Sequence, residues 1–124
     1  MRALIVDDSF FIRAWLRESL EQLGAQCEEA PDGLDAMNLL QAGECFDLML
    51  LDVNMPRMNG LECVRQLREQ ELDPDMKVMM VTTEADPTYI ERALAYGADE
   101  FLMKPFTTQS LGEKLLLLGL GVPA

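Results

Sequence analysis

At 124 residues, with 49% hydrophobic and 26% charged content, the chain suits one folded soluble domain with one sizeable core. A formal charge of −12 and a pI near 4.2 leave little Lys and Arg to neutralise phosphates, which disfavours nucleic acid and anionic membranes as partners. Histidine is absent, which excludes His-based triads, His metal ligands and a phosphohistidine relay within the chain.

In chain order, "RALIV" (2–6) predicts a first strand that ends at Asp7 and Asp8. Residues 9–23 place Ile12, Leu16, Leu20 and Leu23 at helical spacing, with Gly24 as a stop. "AQCEEA" (25–30) reads as a short second strand. "PDGLDAMNLLQAG" (31–43) opens on an Asp32 cap and closes at Gly43, a second helix. "FDLMLLD" (46–52) is apolar almost throughout, as a strand covered on both faces should be. It ends abruptly at Asp52.

Asn59 is placed to cap a third helix running to about Gln70, and Glu62 stands where a capping box needs it. "KVMMVT" (77–82) is a fourth strand. Asp86 followed by Pro87 opens a fourth helix that runs to Tyr96 and stops at Gly97. "EFLM" (100–103) is a fifth strand, and a fifth helix starts near Thr107 and continues through "EKLLLL". Residues 1–119 form one domain in this reading, and 120–124 are a tail or the start of a linker.

Strands that alternate with helices give a parallel sheet with helical crossovers on both faces. Periodicity alone does not set the strand order. Cys27, Cys45 and Cys63 are widely spaced with no CxxC pair, which predicts reduced structural thiols. No stretch is apolar for long enough to span a membrane, and the apolar start runs at once into two aspartates, unlike a signal peptide. A cytoplasmic location is the expectation.

The chemistry lies at the strand ends. Asp7 and Asp8 follow the first strand, Asp52 ends the third, Thr82 and Thr83 end the fourth, and Lys104 and Pro105 follow the fifth. Ligands of open parallel sheets bind beyond the carboxyl ends of the strands, so these residues should converge on one rim. Carboxylates about 4 Å apart repel by about 4 kcal/mol per pair at an effective dielectric near 20. A divalent cation and Lys104 would offset this. All-oxygen ligands point to Mg²⁺, with Mn²⁺ as a substitute.

In order and spacing, Asp7–Asp8, Asp52, Thr82 and Lys104–Pro105 resemble the motif set of response-regulator receiver domains, nearest to single-domain chemotaxis-type receivers. "VNMPRMNG" and "LMKPF" are close local matches. The resemblance implies an α/β fold, a doubly wound (βα)5 flavodoxin-like parallel sheet of order 2-1-3-4-5; a chemotaxis receiver is a standard example of that order. It further implies that Asp52 is the phosphoacceptor. Asp8, Asp52 and the backbone carbonyl of Asn54 would be direct Mg²⁺ ligands, with Asp7 acting partly through metal-bound water. Lys104 would pair with Asp52 and then with its phosphoryl group, and Thr82 would be the switch hydroxyl. A cis bond precedes Pro105 in that family.

Phe101 stands where the family has an aromatic that turns inward with the switch threonine. Coupling to Thr82 is the preferred reading over an ordinary core aromatic. Ile90, Leu94 and Phe101 match the partner face of the fourth helix, fifth strand and fifth helix, although an apolar helical stripe also reads as core. The resemblance implies that Asn54 and Glu84 border the route of the hydrolytic water and tune dephosphorylation. The nine methionines fall mostly in strands or near the loop after Asp52 and read as core. "LLLL" (115–118) is too long for one helix face and marks a dimer contact or docking surface.

The implied partners are a sensor histidine kinase or phosphotransfer protein and an unidentified output protein or domain. A phosphorylation-linked homodimer is one form of output. The resemblance implies a switch with its own phosphorylation and dephosphorylation activity rather than a conventional enzyme. Two readings compete: a receiver-like interaction module independent of phosphorylation, and a phosphatase with an Asp nucleophile. The latter pattern needs a second Asp where Asn54 stands, and the chain has no room for a cap domain.

Overall fold

The computed structural model describes residues 1–53, 55, 57–83 and 86–120. Its elements are β1 (Arg2–Val6), α1 (Phe10–Gln22), β2 (Gln26–Ala30), α2 (Gly33–Gln41), β3 (Leu48–Asp52), α3 (Gly60–Glu69), β4 (Lys77–Thr82), α4 (Pro87–Tyr96), β5 (Glu100–Met103) and α5 (Thr108–Leu117). The strands pair in parallel in the order β2-β1-β3-β4-β5. This is the doubly wound (βα)5 sheet that the resemblance implied.

Alternation along the strands divides the core between the two faces of the sheet. Leu4, Val6, Met49, Leu51, Val78 and Met80 face a layer that includes Met37 and Leu40 of α2, Leu61 and Leu67 of α3, and Ala93 of α4. Ala3, Ile5, Leu48, Leu50, Met79 and Val81 face the other, with Leu16 and Leu20 of α1 and Leu111 and Leu115 of α5. Every residue of β3 is buried. Each such apolar side chain stabilises the fold by roughly 1.5–3 kcal/mol relative to exposure. β2 and β5 are edge strands and keep exposed positions.

The helices start where polar caps stop the chain from unwinding. Ser9, Asp32, Asn59, Asp86 and Thr107 each accept a backbone N–H from the first turn of the following helix. A cap of this kind stabilises by about 1 kcal/mol. Because each helix follows a strand, these caps also lie on the carboxyl rim of the sheet.

Two expectations change in detail. β3 starts at Leu48 rather than Phe46, because the Phe46 amide donates to Asp73 Oδ2 (2.7 Å) and leaves the ladder. Glu62 does not complete a box with Asn59; its carboxylate is taken by Arg65 and Gln66. The reciprocal box occurs instead at α5, between Thr107 and Ser110. Of "LLLL", Leu115 is buried, whereas Leu116 and Leu117 are 63% and 72% exposed. Among the described residues, no helix is long and apolar enough to cross a membrane.

Candidate functional site

β1 and β3 are neighbours, with Val6 opposite Leu51. The next residue on each strand is an aspartate, so parallel pairing alone brings Asp7 and Asp52 together. Asp8 joins them from the turn before α1. One carboxylate oxygen from each of Asp7, Asp8 and Asp52 lies within 4.8 Å of the others. Asp7 and Asp52 are buried and Asp8 is exposed.

Lys104 closes the cluster from the far edge. Its backbone N–H donates to the Thr82 carbonyl (2.9 Å), and the Lys104–Pro105 bond is cis. The side chain passes over the end of β4, and Nζ lies 3.3 Å from Asp52 Oδ1 and 3.4 Å from Asp7 Oδ2. One cation thus serves two buried acids, which fits the charge offset expected from the sequence.

Asp7 is held on every side. Its N–H donates to the Ala30 carbonyl (3.2 Å), and its Oδ1 accepts from the Ser9 N–H (2.8 Å). Its carbonyl accepts from Arg13 Nη1 (2.6 Å). Arg13 Nε in turn donates to Glu29 Oε1 (3.1 Å), and Arg17 Nε donates to Glu29 Oε2 (2.7 Å).

Burial, followed by the Asp7 charge, raises the pKa of Asp52; Lys104 opposes the shift without cancelling it. An acid with a raised folded pKa binds its proton more tightly when folded. Its ionisation therefore removes stability as pH rises from its unfolded value through its folded value. Asp52→Asn is expected to melt above wild type at pH 7 without divalent ions. The gap should close below pH ~4, where the unfolded acid also protonates. Melts of both proteins across pH check this; an equal or lower Tm for the variant at pH 7 contradicts it.

The donor set is hard oxygen throughout, with an exposed carboxylate on the open side. This fits Mg²⁺ or Mn²⁺, which favour carboxylates and retained water. Asp7, Asp8 and Asp52 are the side chains that would hold the ion.

The family model for the response regulator receiver domain matches residues 3–116. The chain belongs to this family. A chemotaxis protein CheY homolog of Campylobacter jejuni is 41% identical over 116 residues, covering 93% of this chain and 89% of its own. The solved chemotaxis response regulator CheY4 of Vibrio cholerae is 36% identical with a TM-score of 0.87, covering 94% of this chain and 97% of its own. A CheY-like receiver domain protein of Methanospirillum hungatei is 33% identical with a TM-score of 0.86, covering 95% and 93%. Receivers are signalling switches that work with histidine kinases or phosphotransfer proteins and with output domains.

The other described candidate positions of this CheY-like receiver lie on β4, β5 and α4. Thr82 is buried at the end of β4, opposite Met103. Phe101 is half-buried against the core layer containing Leu4 and Met80. On α4, Ile90 is half-buried and Leu94 is 50% exposed. Asn54 and Glu84 lie outside the described residues.

Three contributors escaped the sequence reading. Gly60 starts α3 so close to β3 that a Cβ there would lie 2.4 Å from the Asp52 carbonyl oxygen. Arg57 adopts φ +65° and directs Nε to Asp32 Oδ2 (2.8 Å). Burial opposes the Asp32 charge, but the Asp35 N–H and Arg57 outweigh it and lower its pKa. Arg13 is the third. Its only sequence signal is its place on the first turns of α1, where it can reach back to the strand end.

Proposed function

We propose that the chain is a phosphorylation-dependent switch in which Asp52 accepts a phosphoryl group from a histidine kinase or phosphotransfer protein. One observation carries the reading. In a receiver, three carboxylates lie within 4.8 Å, and the Asp52 carboxylate has a lysine ammonium 3.3 Å away.

In the proposed step, an Asp52 carboxylate oxygen attacks phosphorus in line. The P–N bond of a donor phosphohistidine breaks, and its electron pair leaves with the imidazole. Bound Mg²⁺ would neutralise phosphoryl oxygens during the transfer. Asp7, Asp8 and Asp52 would hold that ion, with the Asn54 carbonyl as a further ligand. Lys104 would move its ammonium from the carboxylate to a phosphoryl oxygen, and the Thr82 hydroxyl would donate to another. Asn54 and Glu84 would tune hydrolysis of the acyl phosphate.

The readout would be the face of α4, β5 and α5, through Ile90, Leu94 and Phe101. Ala93 is the one buried residue of α4, so this helix has little apolar anchorage to oppose a shift in packing. The output partner would recognise the repacked face. Residues 1–119 would constitute the switch, acting in the cytoplasm.

Intact mass after incubation with acetyl phosphate, with and without Mg²⁺, tests the reading on wild type and Asp52→Asn. The expected result is a Mg²⁺-dependent gain of one phosphoryl group by wild type alone. A folded wild type that gains nothing would favour the phosphorylation-independent interaction module.

A further inference from the structure

We infer that Arg13 is a positioning residue for the acidic cluster, raising its affinity for a divalent cation even though Arg13 is itself a cation. The inference deepens the proposed function by adding a residue that tunes its metal step.

The geometry is specific. Arg13 is 15% exposed and divides its guanidinium between two elements. Nη1 donates to the Asp7 carbonyl at 2.6 Å, and Nε donates to Glu29 on β2. Arg17 holds the other Glu29 oxygen, so the carboxylate anchoring Arg13 is itself fixed. The Asp7 carbonyl belongs to the peptide that joins Asp7 to Asp8. Fixing it sets the plane from which the Asp8 side chain departs. The Asp7 carboxylate has its own constraints, from Ser9 and Lys104. Asp8 is exposed, and no hydrogen bond to its side chain is seen among the described residues. Its orientation depends on the backbone it stands on, and Arg13 grips that backbone.

Charge and position make opposite predictions. As a charge alone, a guanidinium near three carboxylates repels a divalent cation, and removing it tightens binding. As a positioning group, it keeps a ligand-bearing peptide oriented, and removing it weakens binding. Groups that orient metal ligands from behind commonly contribute about 10–100-fold to affinity. Arginine suits the task because its planar fork makes two directed bonds at once.

Calorimetric titration of Mg²⁺ into wild type, Arg13→Met and Arg13→Lys tests this, with circular dichroism to confirm folding. The expected result is about tenfold weaker binding by Arg13→Met. Arg13→Lys should be intermediate, since lysine keeps the charge and one bond but loses the fork. Tighter or unchanged binding by folded Arg13→Met would overturn the inference. If that variant does not fold, Arg13→Lys decides: weaker binding than wild type supports the inference, and equal binding overturns it. Wild type that binds no Mg²⁺ also overturns it. Wild type that binds Mg²⁺ but takes no phosphoryl group from acetyl phosphate refutes the proposed acceptor role while leaving the Arg13 comparison valid.

Discussion

Replacing Lys104 with alanine is expected to slow phosphorylation of Asp52 by acetyl phosphate by at least about tenfold, while tightening Mg²⁺ binding. Lys104 bridges Asp7 and Asp52 at 3.4 and 3.3 Å, and its side chain is 22% exposed against 2% and 9% for the acids. Removing it leaves two buried carboxylates facing each other without a cation. Breaking a buried pair in this way costs about 3 kcal/mol. The cost should shrink as pH falls, because Lys104 opposes the upward shift of Asp52 and its loss makes protonation easier. A divalent ion would take over the neutralisation, so Mg²⁺ should recover more Tm in the variant than in wild type. Phosphoryl transfer would not recover, because no ammonium remains to meet the developing charge on the phosphoryl oxygens. Melts with and without Mg²⁺, alongside phosphorylation followed by intact mass, separate the two effects. A variant whose Tm ignores Mg²⁺, or which is phosphorylated at the wild-type rate, would contradict the assignment of Lys104.

The largest loss of stability from a single methyl group is expected at Gly60. An added Cβ would lie 2.4 Å from the Asp52 carbonyl oxygen and 3.0 Å from Val53 Cα and Met80 Cε. The first two are backbone atoms of β3 and its exit, which cannot yield as a flexible side chain can. The Gly60 N–H also donates to the Val53 carbonyl (2.9 Å), so α3 cannot back away without losing that bond. Gly60→Ala should cost about 3 kcal/mol, a fall in Tm on the order of 10 °C. Gly112 is the control, because a Cβ there meets only Leu23 methyl carbons at 3.6 and 3.8 Å. Gly112→Ala, inside α5, should stabilise by about 0.5–1 kcal/mol through helix propensity. Equal effects at the two glycines would show that α3 does not pack against β3 in this way.

Much of this fold was legible because its apolar pattern is simple. A strand covered on both faces reads as an unbroken run, and "LMLL" before Asp52 is such a run, buried throughout. Helix starts were legible wherever a cap residue precedes the periodic segment, as at Asp32, Asn59 and Asp86. The strand order came from resemblance rather than periodicity, since several orders bury the same residues. The candidate site was legible because its main residues end or directly follow strands, and the sheet turns that regularity into proximity. Arg13 was not legible, because an arginine on a helix is ordinarily a solvated charge. Only the fold shows that it reaches back to the Asp7 carbonyl. The tight fit at Gly60 was hidden for a related reason. Its need for glycine is a clash with a carbonyl across the loop, which local sequence does not record.

In the proposed switch Asp52, rather than its neighbours, carries the phosphoryl group. Asp8 is the more exposed carboxylate, so simple access would favour it. The most direct measurement is to treat the protein with acetyl phosphate and Mg²⁺, reduce the acyl phosphate with borohydride, and locate the resulting homoserine by peptide mass spectrometry. The proposed acceptor role of Asp52 predicts homoserine at Asp52 and none at Asp7 or Asp8. Homoserine at Asp8, with Asp52 unmodified, would contradict it.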